Sequence, residues 1–150
     1  MARTGRWFAV MTLAITFSIS LSAAPAANAA DGMTSLVSAD ASGTQGELAS
    51  CAPAISADGR FVVFESQAEN LVPGDKNQTK DIFVKDRLTG AVEIASVDSD
   101  GNQSNDWSDA QSISADGRFV AFRSLASNLV PGDTNGCTDI FVHDRVLRTT

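Results

Sequence analysis

The fold is decided by ISADGRFVVFES at Ile55–Ser66 and its near copy ISADGRFVAFRS at Ile113–Ser124. The two stand 58 residues apart, and the same interval separates NLVPGD at Asn70 from NLVPGD at Asn128 and DIFVKDR at Asp81 from DIFVHDR at Asp139. Residues 51–92 align without a gap to 109–150, with 25 identities in 42 positions. Upstream, Ser38, Asp40, Gly43, Gln45 and Ser50 stand in the places of Ser96, Asp98, Gly101, Gln103 and Ser108. A fixed period of tens of residues marks a chain built from stacked supersecondary units.

Each unit reads as four short strands. Residues 52–56 form the first, and Ala57-Asp58-Gly59 turns the chain, glycine supplying the positive φ of a tight hairpin and aspartate a cap. Residues 60–66 form the second strand. Phe61 and Val63 face one side and Val62 and Phe64 the other, so it must be covered on both. A long loop over 67–80 carries the turn pair Pro73-Gly74, residues 81–87 form the third strand, and after Leu88-Thr89-Gly90 residues 92–97 form the fourth. Tandem four-stranded units covered on both faces are what propeller blades are.

The patterns SADGRFV-x-F and DIFV-x-DR resemble the TolB-like, WD-repeat-like bacterial β-propeller repeat, in which an S-x-D-G turn precedes an apolar strand and then a D-I-aromatic-V strand. The resemblance spans about 34–150 and implies an all-β fold of about two four-stranded antiparallel blades in an incomplete ring. An outer strand lies within 34–50, particularly Leu36–Asp40, a blade in 51–108, and an incomplete blade in 109–150. Full propellers hold about four to eight blades. Two expectations follow: a longer gene product cut short, with an open blade edge prone to self-association, or identical chains that together complete a ring.

Residues 1–30 are set apart as a signal peptide. Arg3 and Arg6 precede an uncharged run from Trp7 to Leu21, and Ala27-Asn28-Ala29 supplies a small-x-small cleavage pattern. The run is shorter than the ~20 residues of a spanning helix, so secretion or a periplasmic location is expected, with no membrane span after cleavage. The remaining 31–150 hold nine basic and eighteen acidic residues, which argues against nucleic acid as a partner.

The loops between second and third strands, with those between blades, collect Glu69, Asp75, Asp98, Asp100, Asp106, Asp109 and Asp133 on one face. This is a cation- or amine-binding surface or a solvated acidic rim. The opposite face is expected to pair Asp58 with Arg60, Asp86 with Arg87, Asp116 with Arg118 and Asp144 with Arg145. Asp75-x-Asn77-x-x-x-Asp81 and Asp133-x-Asn135-x-x-x-Asp139 space oxygens as calcium loops often do, though without the full ligand series. The same residues also serve as turn caps. No other cofactor is expected. Cys51 and Cys137 fall on adjacent blades, where one disulfide or two free thiols are the alternatives.

No nucleophile elbow, zinc-protease helix or phosphate loop occurs, and His143 replaces Lys85 of the other repeat at a place expected to face outward. No catalytic residue is assigned and no enzymatic activity is expected. Trp107, between the blades, either stacks on a ligand or seals the packing; with Asp98 and Asp100 it marks the ligand face. The expected function is a non-enzymatic binding or scaffold module for protein, peptide or glycan. The alternatives are a propeller fragment of a larger secreted hydrolase and an oligomeric carbohydrate-binding propeller.

Overall fold

The computed structural model describes residues 34–150, so the signal peptide expected over 1–30 lies outside the described residues. Among these residues seven strands follow one another: β1 (Ser50–Ile55), β2 (Phe61–Ser66), β3 (Asp81–Asp86), β4 (Val92–Ile94), β5 (Ser108–Ile113), β6 (Phe119–Ser124) and β7 (Asp139–Asp144). They form two antiparallel meanders, β1-β2-β3-β4 and β5-β6-β7. The fold is thus all-β, with two sheets whose strand order is that of successive propeller blades, left open rather than closed into a ring. Among the described residues no helix is long and apolar enough to cross a membrane.

Local chemistry explains the repetition. Ser56 donates its hydroxyl to Asp58 at 2.6 Å, the Asp58 carboxylate accepts the Arg60 N–H at 3.0 Å, and Gly59 holds φ 72°. Ser114, Asp116, Arg118 and Gly117 repeat this arrangement. The β2/β3 and β6/β7 registers are the same, Phe64 opposite Phe83 and Phe122 opposite Phe141. Each first strand carries a bulge at a residue of positive φ, Ala52 at 50° and Ala110 at 53°.

The double-sided β2 is covered as expected. Val63, Ile82 and Val84 on one face of the first sheet pack with Val120, Phe122 and Phe141 of the second, joined by Ala95, Ala126 and Leu129. The first sheet's other face, Val62, Phe64 and Phe83, is covered by Ala68 and Leu71, with Val37, Val72 and Ile94 beside them. Backbone bonds also tie the sheets, Ala57 N–H to Ala115 O at 3.0 Å and Ser108 N–H to Lys80 O at 2.8 Å.

Three expectations are corrected. The strand anticipated at Leu36–Asp40 reduces to one bridge, Ala39 with Gln45, because Asp40 accepts bonds from Ser42 and Thr44 and curls the chain into a turn. The fourth strand stops at Ile94 rather than Val97, its last residues entering the same kind of turn at Asp98. The hairpin charges also pair differently. The Arg60 guanidinium grips Asp86 at 2.7 and 3.1 Å, and Arg118 grips Asp144 in the same way. Strand pairing sets Phe61 opposite Asp86 and Phe119 opposite Asp144. The arginine one residue earlier therefore reaches the neighbouring strand more easily than the aspartate of its own turn.

Candidate functional site

A cleft of about 650 Å³ opens where the outer edge of the first sheet meets the second. Its first wall is β4 with the Val97–Gly101 turn, and Pro73-Gly74 closes one side; His143, Arg145 and Arg148 come from the second sheet. The lining carries the carboxylates of Glu93, Asp98 and Asp100 and the guanidinium groups of Arg145 and Arg148. Arg145 is held by an ion pair to Glu93, donates to Gly117 O, and lies 4.3 Å over the Phe61 ring. It thus ties the sheets together as well as lining the cleft.

Of the expected ligand-face residues, Asp98 and Asp100 line this cleft and Trp107 does not. Asp98 builds its own turn. Partial burial works against its ionised form, but hydrogen bonds from the Asn102 side chain and the backbone N–H groups of Asn102 and Asp100 hold the carboxyl below its ordinary value. Asp100 is exposed and leaves its carboxylate toward solvent. Trp107 is half-buried, with Arg123 lying 5.4 Å over its ring. Arg123 is in turn fixed to Asp109 by two bonds of 2.8 and 2.9 Å.

His143 corrects an expectation, for it is buried rather than outward. Its strand face is the one pressed toward the first sheet, carrying Val120, Phe122 and Phe141. Burial pushes the imidazole below its ordinary pKa. The repeat shows what the place is for. Lys85 reaches back to the carbonyls of Ala39 and Asp40 at 3.0 and 2.8 Å. In the second sheet, His143 Nδ1 meets Thr150 Oγ1 at 2.9 Å, and that hydroxyl donates to Val97 O, the counterpart of Ala39.

The two Asp-x-Asn-x-x-x-Asp loops differ. Asp81 is fully buried; its Oδ1 accepts the hydroxyls of Ser96 at 2.5 Å and Ser104 at 3.0 Å, while Oδ2 and the nearby Thr79 Oγ1 have no partner. Asp75 is buried too, with Gln103 Nε2 at 3.4 Å. Burial, then the charges of Asp81 and Glu69, push its carboxyl up to about 6. Asn77 spends its amide on Ser104 O and its carbonyl on the Thr79 N–H. In the second loop Asn135 donates to Asp139 at 2.8 Å and accepts the Cys137 N–H, both acids standing half-exposed. Among the described residues no three Asp, Glu, His or Cys side chains gather as a metal site does. Both loops use their oxygens first as turn caps and braces.

Cys51 and Cys137 are free and exposed, so the disulfide alternative is not realised in the structure. Each is engaged within its own sheet. The Cys51 thiol donates to Glu65 at 3.2 Å, and the bond and charge of that carboxylate, with burial, push the thiol up; Cys137 belongs to the Asn135 turn.

Sequence reasoning missed three charged residues of the cleft, Glu93 among them. Arg145 was assigned to Asp144, its neighbour, yet it serves Glu93 in the other sheet. Arg148 was not singled out, although it stands with φ 56° at the place of Gly90 in the first repeat. That exchange of glycine for arginine was the one visible signal. No protein-family model matches the chain, and no curated protein matches it. Among solved structures the chain is similar to TolB from Acinetobacter baumannii, with 22% identity and a TM-score of 0.43, over 68% of this chain and only 20% of that one.

Proposed function

We propose that this chain is an extracytoplasmic β-propeller module that binds a protein or peptide, without catalysing a reaction, in the cleft between β4 and the end of the second sheet. The observation that carries the reading is the mixed charge of that cleft, lined by Glu93, Asp98 and Asp100 together with Arg145 and Arg148. A groove lined by both signs suits an extended backbone whose side chains alternate in charge. A glycan is the less favoured ligand: sugars are held by stacking on open aromatic faces, and Trp107 is covered by Arg123 and lies off the cleft. The extracytoplasmic placement rests on the leader pattern of residues 1–30.

The test uses the exported protein on an array of extended peptides of mixed charge, with a glycan array beside it. The expected result is retention on a subset of peptides, weakened about tenfold, or ~1.4 kcal/mol, by Asp100→Lys, whose side chain is exposed and whose change leaves the fold intact. Retention that ignores Asp100→Lys, capture by glycans alone, or no capture at all overturns the proposal.

A further inference from the structure

The first Asp-x-Asn-x-x-x-Asp loop buries more negative charge than its surroundings answer. Asp81 is 0% and Asp75 8% exposed. Asp81 Oδ1 takes both nearby hydroxyls, those of Ser96 and Ser104, while Oδ2 has no partner among the described residues, nor has the buried Thr79 Oγ1 two residues before it. Asp75 stands near enough to feel the charges of Asp81 and Glu69, and Gln103 Nε2 reaches it only at a long 3.4 Å. The ion pairs of the described residues engage Asp86, Glu65, Asp144, Asp109 and Glu93, so none of them answers Asp75, Asp81 or Glu69. Carboxylates withdrawn from water without a positive partner are costly, and this group of oxygens is complementary to a cation.

The second loop shows that the motif need not leave this oxygen bare. There the Asn135 amide donates to Asp139 Oδ2 at 2.8 Å. In the first loop the Asn77 amide still lies beside Asp81, but its hydrogen bond goes to Ser104 O at 3.1 Å, and its own Oδ1 accepts the Thr79 N–H at 3.3 Å. The donor that satisfies the oxygen in one copy is thus turned away from it in the other. The connection between the sheets closes the loop from the far side: Gln103 accepts the Lys76 N–H at 3.2 Å and Ser104 holds both Asn77 and Asp81. The acceptors are therefore fixed from two segments of the chain.

We propose that the first loop holds a calcium ion, with Asp81 Oδ2, Thr79 Oγ1 and the Asp75 carboxylate as its protein ligands and water completing its shell. The donors are all oxygen, two charged and one neutral, a set that selects a hard cation. Calcium suits it better than magnesium, because calcium accepts six to eight oxygens in flexible geometry, whereas magnesium demands a near-ideal octahedron and keeps several waters that a buried site has little room for. The ion neutralises the buried charge and ties residues 75–81 more firmly to Gln103 and Ser104. With two carboxylates in place of the fuller acidic series of tight sites, the dissociation constant is on the order of 10⁻⁴–10⁻³ M, as in extracellular calcium modules. No ion is assigned to the second loop, where Asn135 already takes Asp139 Oδ2.

Isothermal titration of the exported full chain with calcium chloride, after chelator treatment and dialysis, tests this. One calcium per chain is expected, with a melting temperature that rises as the site fills. Asp75→Asn should weaken binding at least about tenfold and Thr79→Val about threefold, both with unchanged far-UV circular dichroism, while Asp139→Asn should bind as the parent does. Magnesium chloride should bind at least about tenfold more weakly than calcium. No binding at calcium concentrations about tenfold above the expected range, binding indifferent to both Asp75→Asn and Thr79→Val, loss of binding in Asp139→Asn, or equal affinity for magnesium overturns the proposal.

Discussion

The two repeats are a comparison of near-identical sequences in unlike surroundings. Ile82 and Ile140 occupy the same register position in the same DIFV motif, yet one is fully buried and the other among the most exposed apolar residues of the molecule. Asp81 and Asp139 differ in the same direction: the first is sealed beneath Ser96 and Ser104, and the second is half-exposed with its own Asn135 for company. Burial is thus a property of what lies across from a side chain. The hydrophobic pattern only makes a face available to be covered.

The largest test of that contrast is truncation of the isoleucines. Ile82→Ala should cost about 2–5 kcal/mol, as buried aliphatic truncations do, while Ile140→Ala should change stability by no more than about 0.5 kcal/mol. Urea unfolding of both variants checks it, and equal losses would refute the difference in environment.

The paired loops give a second, smaller contrast, this time in pH dependence. The Asp75 carboxyl is pushed up to about 6 by burial and by Asp81 and Glu69, against about 3.9 in an unfolded chain. The folded state therefore holds its proton more tightly than the unfolded one. Its contribution is fully present below about pH 4 and is lost as pH rises through about 6. Asp75→Asn should remove that decline and stabilise the protein at pH 7 by on the order of 2 kcal/mol, each unit being worth about 1.4 kcal/mol. Thermal melts of the parent and of Asp75→Asn from pH 4 to 7, in calcium-free buffer, check it.

The smallest effects concern backbone strain, where the repeats have traded residues. Gln78 holds φ 56° where the other copy has Gly136 at 61°, and Arg148 holds φ 56° where the other has Gly90 at 80°. A left-handed conformation costs a residue with a Cβ about 1–2 kcal/mol, partly offset by the greater unfolded-state freedom of glycine. Gln78→Gly and Arg148→Gly should each stabilise by up to about 1 kcal/mol, and Gly136→Gln should destabilise by a similar amount. Arg148→Gly should also weaken peptide capture, separating stability from binding in the cleft.

From its own residues the chain settles what depends on near neighbours. The 58-residue period, the Ser-x-Asp-Gly hairpins, the strands they join and the need of β2 for cover on both sides were all legible, because turn chemistry and side-chain alternation act over a few residues. So was the presence of Asp98 and Asp100 in the loops that wall the cleft. What the tertiary structure decided involves partners far apart in the chain. His143 is buried because its strand face meets the first sheet, Arg145 answers to Glu93 rather than to the adjacent Asp144, and the two cysteines are each engaged within their own sheet. Two copies of one motif cannot differ by their shared sequence; they differ because the second sheet covers the first and the same face of the second sheet is bare.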